Sequence, residues 1–137
     1  QFFTPGIPQV YYLGLLFGEN DHDLLEETGE KRDINRTYFT KEEAEEKLQS
    51  PATRRLIQMM QFRSFYPAFD GRFDLHYSDP DKLWLSWTKG EFRTDLRVDL
   101  TSLECKITYT DVASLELCEL DLSLPESVRA PSLHPAD

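Results

Sequence analysis

Apolar residues follow three patterns along the chain, and the pattern changes where proline or glycine interrupts it. Residues 7–12 (IPQVYY) are apolar on both faces and rich in β-formers, which predicts a short parallel strand, Ile7–Tyr12, covered on both sides. Ahead of it, Gln1–Thr4 reads as the end of a helix closed by Pro5-Gly6. Proline disfavours helix in the residue before it, and glycine accepts a left-handed cap. Residues 19–36 are polar and weakly patterned, with one helical turn expected at Asp23–Glu27. A helical period then takes over. Thr40 with Glu43 makes a capping box before a run of strong helix formers ending at Leu48. Ser50-Pro51 is a second start, a hydroxyl N-cap with proline at the first helical position. From there Leu56, Met60 and Arg63, with Ile57 and Phe65 beside them, predict an apolar face until Pro67 ends the helix Pro51–Phe65.

After Asp70-Gly71 the alternation becomes one in two. Phe73, Leu75 and Tyr77 precede the turn sequence SDPD, and Leu83, Leu85 and Trp87 precede Lys89-Gly90. Phe92, Thr94, Leu96 and Val98, then Cys105, Ile107 and Tyr109, then Leu115 and Leu117 continue the series. Short strands with tight turns predict an antiparallel meander over Arg72–Leu117, one face buried and one wet. The proline-containing tail from Pro125 is expected to be extended or disordered.

A lone parallel strand cannot satisfy its own backbone ladder. The predicted Ile7–Tyr12 strand therefore asks for neighbours that this chain does not contain. The expected fold class is α/β plus all-β: the last βα unit of a TIM (β/α)8 barrel followed by a small antiparallel β-sheet domain. Residues 1–69 would close the barrel, 70–124 form the β domain and 125–137 the tail. A whole barrel takes about 250 residues, so the chain reads as a fragment of a larger enzyme. It opens mid-element without an initiator methionine. On its own it is not expected to behave as a stable two-state monomer, with strand edges and apolar helix faces left bare.

Charge narrows the partners. With 25 Asp and Glu against 15 Lys and Arg, the formal charge is −10. That argues against a nucleic-acid or anionic-membrane partner, since such surfaces recruit Lys and Arg. The apolar N-terminus lacks a basic leader, is broken by Pro5 and Pro8, and ends at Glu19, so it reads as neither signal peptide nor membrane span. Cys105 and Cys118 could by number form one disulfide, but are expected to be two buried reduced thiols in a cytoplasmic protein. No His or Cys at metal-ligand spacing surrounds them, so no metal site is indicated and no cofactor is expected.

Candidate chemistry is thin when read from spacing alone. A glycosidase-like pair needs two carboxyls roughly 5–9 Å apart across a sugar. Asp21, Asp23, Glu26, Glu27, Glu30 and Asp33 lie in one region, but their spacing singles out no pair. Glu42, Glu43, Glu45 and Glu46 read as a solvated helix face, while His22, His76 and His134 are scattered. Trp84 and Trp87 face opposite sides of their strand; one is core and the other is placed to stack on a sugar. The stretch GEKRDINRTY, Gly29–Tyr38, packs Lys31, Arg32, Asp33, Asn35 and Arg36 together. It reads either as a solvated loop with weak ion pairs or as a binding loop held by a scaffold. Arg32 brings five fixed donors suited to sugar hydroxyls or a carboxylate.

PGIPQVYYLGLLFGENDHDLLEETGEKRDINRTYF, followed by FRSFYPAFDGRF, resembles the C-terminal third of the sucrose phosphorylases and related glucoside phosphorylases of the alpha-amylase superfamily. The resemblance runs well over residues 1–73 and loosely beyond. PGIPQVYY matches the last barrel strand of the superfamily at large. Asn20-Asp21, Leu24-Leu25 and RDINR before a Tyr are specific to the phosphorylase branch. The resemblance implies a retaining transfer of glucose from sucrose or a related α-glucoside to phosphate, giving α-glucose 1-phosphate. It places Arg32 at the glucose subsite, with Asp33, Asn35 and Arg36 bracing the loop. Its three catalytic carboxylates belong to earlier barrel strands and have no counterpart here, so no catalytic residue is expected in this chain and the fragment alone would be inactive. Lys31 and Thr37 stand where relatives often have Gly and His, leaving the acceptor open among fructose, its phosphate ester and glycerol. The implied partners are a small sugar substrate and inorganic phosphate, and a homodimer is left open. The competing reading is a non-catalytic carbohydrate-binding or interaction module that would use Trp84 or Trp87.

Overall fold

A computed structural model describes residues 1–77 and 79–120. Ser78 and the proline-containing tail, with His134, lie outside the described residues. In chain order the helices are α1 (Tyr12–Leu15), α2 (His22–Thr28), α3 (Lys41–Gln49) and α4 (Pro51–Phe65). The strands are β1 (Arg72–His76), β2 (Lys82–Lys89), β3 (Phe92–Asp99), β4 (Cys105–Thr110) and β5 (Leu117–Glu119). Two compact units emerge: Gln1–Pro8 with Gln58 onward, and Gln9–Ile57.

The first unit is built on the expected meander. Its five strands lie in the order β1-β2-β3-β4-β5, every neighbouring pair antiparallel. Two of the turns are closed by aspartates. Asp99 Oδ1 accepts from the Thr101 and Ser102 amides, and Asp111 Oδ1 from those of Ala113 and Ser114. Both carboxyls are held below the usual range, first by these backbone hydrogen bonds.

The alternation read from the sequence sorts the two faces. Leu85, Trp87 and Ile107 are buried on one side, against Met59 and Phe62 of α4, Tyr66, Phe69 and Phe3. Register places Leu85 opposite Leu96, and Leu96 opposite Ile107, so the apolar row continues across three strands. Aromatic edges dominate this core: Phe62 packs on Phe69 at 5.5 Å and Tyr109 at 5.6 Å, and Phe3 on Phe69 at 5.3 Å. Gly71 enters β1 where a Cβ would sit 2.0 Å from the carbonyl oxygen of Thr88, so no side chain fits there.

The buried face of α4 differs from the one expected. Met59, Phe62 and the following Tyr66 are buried, while Leu56, Met60 and Arg63 are half-buried and Phe65 is exposed. Apolar residues surround most of this helix, so period alone does not set its rotation. Tyr66 sets it instead, because its hydroxyl finds partners inside. It lies 2.7 Å from Thr110 O and 3.0 Å from Arg93 O, giving its proton to one of them, and accepts from the Thr110 amide at 3.0 Å. Burial, against the pull of these hydrogen bonds, pushes its pKa up to about 12. Arg63 also turns inward. Its guanidinium lies 4.5 Å from the Phe69 ring and 5.1 Å from Trp87, and donates to Gly6 O at 2.9 Å.

The second unit carries the other correction. Ile7–Tyr12 is not a strand: residues 7–11 are irregular and α1 begins at Tyr12. The described residues offer no parallel partner, and an extended segment without one has no ladder to join. The helices follow their caps as expected. Thr40 and Glu43 make the reciprocal capping box of α3, and Ser50 Oγ accepts from the Thr53 amide at the start of α4. The helical turn near Asp23 extends to seven residues, capped by Asp21 at one end and left-handed Gly29 (φ 68°) at the other.

Candidate functional site

The loop from Glu19 to Thr37 is organised from its ends inward. Asp21 caps α2 through Oδ1, 2.8 Å from the Leu24 amide, while its own N–H donates to Ile34 O at 2.6 Å. One residue therefore starts a helix and ties it to the far side of the loop. Thr37 completes the closure by donating its hydroxyl to Glu19 O at 2.9 Å. From α1, the Tyr12 hydroxyl donates to Thr37 O at 3.0 Å. Desolvation, then the neighbouring Tyr11, raises the Tyr12 pKa, so at neutral pH it stays a donor.

Between these ties the chain makes a 3-10 turn, Lys31–Asn35, pinned by Asp33 N–H to Glu30 O at 2.8 Å and Arg36 N–H to Asp33 O at 3.0 Å. Asp33 and Arg36 pair at 3.2 Å, a link of the bracing kind expected for them. Asn35 is exposed on the same turn. The Arg32 side chain is exposed and, as with those of Lys31 and Asn35 on the same turn, no hydrogen bond, ion pair or ring contact joins it to another described residue. Its N–H groups are open to a ligand, on a turn whose backbone is fixed. Tyr12, Glu19, Asp21, Ile34 and Thr37 do the fixing, and the sequence reading had given none of them that role. Only the Asp21 cap had a sequence signal, an Asp ahead of a helical run.

The other proposed ligand surface fares differently. Trp87 is core: its indole N–H donates to Phe3 O at 2.8 Å and its ring packs on Phe73 and Phe69. Trp84 lies on the opposite face, but its cross-strand neighbours occupy it. His76 of β1 stacks on the ring at 4.1 Å, and Arg97 of β3 lies over it at 4.3 Å. Its N–H is spent on Asp95 Oδ1 at 2.6 Å. Asp95 also takes both arms of Arg93 at 2.7 Å, and His76 Nε2 is 2.7 Å from Ser86 Oγ. Burial alone would raise the Asp95 carboxyl, but Arg93 and Trp84, with the charge of Arg97, hold it below its ordinary value. His76 and Arg97 thus cover the faces of the Trp84 ring on which a sugar would stack, although the half-buried residue still lines a cavity of about 540 Å³ with Lys82, Asp99 and Lys106.

Cys105 and Cys118 are both free thiols, but the expectation that both are buried is corrected: Cys105 is exposed where β4 begins and Cys118 is half-buried on the edge strand β5. Among the described residues no group of three or more His, Cys, Asp and Glu is arranged to hold a metal, and no helix is long and apolar enough to cross a membrane.

No family model matches the chain. Individual proteins do. A glucosylglycerol phosphorylase of Marinobacter adhaerens is 54% identical over 121 residues, which are 88% of this chain and 25% of that protein. A sucrose 6(F)-phosphate phosphorylase of Thermoanaerobacterium thermosaccharolyticum is 43% identical over 80% of this chain and 22% of its own length. A sucrose phosphorylase of Agrobacterium vitis is 44% identical over 79% of the chain and 22% of its own length. The crystal structure of sucrose 6F-phosphate phosphorylase from Thermoanaerobacter thermosaccharolyticum superimposes with a TM-score of 0.81 at 40% identity, covering 87% of this chain and 24% of that one. The resemblance read from the sequence is borne out, and the chain spans about a quarter of the length of the curated relatives it matches.

Proposed function

We propose, for a chain whose relatives are sucrose, sucrose 6(F)-phosphate and glucosylglycerol phosphorylases, that it is the C-terminal part of a retaining glucoside phosphorylase. In this reading residues 1–69 come from the end of a TIM barrel, 70–124 from its β domain and 125–137 from the tail, and the enzyme is cytoplasmic. The observation that carries it is the likeness, in sequence and in fold, to one stretch of these enzymes over most of the chain. The glucosyl group passes from the glucoside oxygen, which takes a proton, to an enzyme carboxylate, and phosphate then displaces that carboxylate to give α-glucose 1-phosphate. The reacting carboxylates lie outside this chain. Arg32 holds hydroxyls of the transferred glucose while the anomeric carbon moves between oxygens. Its exposed, uncommitted guanidinium on a fixed turn supports that role.

The test is phosphate-dependent formation of α-glucose 1-phosphate from sucrose, sucrose 6F-phosphate and glucosylglycerol by the full-length protein carrying this chain. Arg32→Ala should lower kcat/KM by about 100-fold or more, since each hydrogen bond to a charged group contributes about 1.5–3 kcal/mol. Arg32→Lys should rescue little, because an ammonium lacks the planar fork. An unchanged melting temperature would separate lost chemistry from lost fold. Failure of all three glucosides to give α-glucose 1-phosphate would overturn the reading, and near-normal turnover by Arg32→Ala would overturn the arginine's part in it.

A further inference from the structure

We infer that Thr37 is a positioning residue for glucoside transfer, acting through Arg32 by closing the loop that carries it; this rests on the role given to Arg32 above. The loop enters at Glu19 and leaves at Thr37, and two hydrogen bonds tie entry to exit. One is main chain to main chain, Asp21 N–H to Ile34 O at 2.6 Å. The other is a side-chain bond, the Thr37 hydroxyl to Glu19 O at 2.9 Å. Thr37 also receives the Tyr12 hydroxyl at its carbonyl, so it joins entry, exit and α1.

The side chain inside this frame to which the reading above gives the substrate is Arg32, five residues before Thr37. Its 3-10 turn holds its own shape through the Asp33 and Arg36 amides, but those local bonds do not fix where the turn sits relative to the loop's entry. That placement depends on the base. Losing the Thr37 hydroxyl leaves Glu19 O at an exposed position where water can replace it. The cost therefore falls on geometry more than on stability. A site tuned to hold hydroxyls through the transition state is sensitive to displacements of about 1 Å.

The experiment is a double-mutant cycle in the full-length protein, read as kcat and KM for phosphorolysis of the best of the three glucosides above. Thr37→Val keeps the side chain's shape and removes the donor; Thr37→Ser restores the donor. Thr37→Val should lower kcat/KM by between about twofold and tenfold, the range of one net hydrogen bond. The loss should fall mainly in kcat, with the melting temperature moving by less than about 2 °C. Thr37→Ser should recover most of it. In the Arg32→Ala background Thr37→Val should cost nothing further, because a residue acting through Arg32 has nothing left to position. Tyr12→Phe should show the same dependence on Arg32 with a smaller loss.

Multiplying losses in the double mutant, or a Thr37→Ser enzyme as slow as Thr37→Val, would overturn the inference. An Arg32→Ala enzyme with normal turnover would overturn the reading of Arg32 itself, and is told apart by that single variant alone.

Discussion

The sheet unit and the loop unit are held together by different means. In the first, long-range apolar contacts dominate: Phe3, Phe62, Tyr66 and Trp87 come from distant parts of the chain and share one core. Tyr66 is also tied to two strands and Asp95 to Arg93 and Trp84, while Arg63 Nε is buried without a hydrogen-bond partner among the described residues. In the second, Leu13 and Leu16 are the buried apolar residues, while Tyr11, Phe17 and Tyr38 are exposed. Order there comes from caps and short hydrogen bonds: Asp21 on α2, the capping box of α3 and the Thr37 tie. A unit held this way can keep an arginine uncommitted, because nothing in its packing needs that side chain.

Three substitutions sharpen this contrast. Both tryptophans of the chain lie in the sheet unit, so unfolding of the full-length protein followed by NMR at these two indoles reports that unit. Phe62→Ala should have the largest effect, about 3–5 kcal/mol off the denaturant stability seen by tryptophan, the usual cost of emptying a buried aromatic site. A loss below about 1 kcal/mol would mean the core is far looser than its edge-to-face rings indicate.

Tyr66→Phe comes next, at about 1–3 kcal/mol, since the Thr110 amide and two carbonyls lose an interior partner. It also carries a pH signature. The folded pKa of about 12 stands above the ordinary 10.0, so the stabilisation is complete below pH 10 and is lost between about pH 10 and 12, where the unfolded chain ionises first. Tyr66→Phe should flatten that part of the alkaline profile, and identical slopes in the two proteins would refute the assignment. The smallest effect belongs to the loop unit. Asp21→Ala should cost about 1 kcal/mol, the value of an N-cap. It should appear as faster amide exchange at Leu24, the capped donor, with the tryptophan transition unmoved.

What could be read in advance follows the same divide. The strands after Gly71 were legible because alternation and turn residues agree, and because an antiparallel meander needs only neighbours in sequence. Helices α3 and α4 were legible at their starts, where Thr40 and Ser50 act locally. Ile7–Tyr12 was misread because β-forming residues make a strand only beside a partner. The rotation of α4 was misread because Leu56, Met60 and Phe65 are as apolar as Met59 and Phe62, and the choice was made by a phenol hydroxyl finding carbonyls on β3 and beyond. Trp84 looked open because its cover depends on register: His76 and Arg97 flank it only once β1 and β3 have paired with β2. In the loop, Arg32 stood out by charge and motif. Thr37 was marked only as a departure from its relatives, since a hydroxyl bonded to a distant carbonyl leaves no periodic trace.

The hydrogen bond from Trp87 to Phe3 O spans 84 residues, and that separation has a consequence for synthesis. Phe3 leaves the ribosome long before the strand that covers it. At roughly 5–20 residues per second, the delay is on the order of 4–17 s. Throughout it one of the most completely buried side chains of the finished protein is an uncovered phenyl ring. Helix α4 is translated earlier than β2 and carries Phe62, so it is the first part of the future core to emerge after Phe3. The sheet core cannot close until β2 follows, and a chaperone that masks apolar nascent segments would find a lasting target at Phe3.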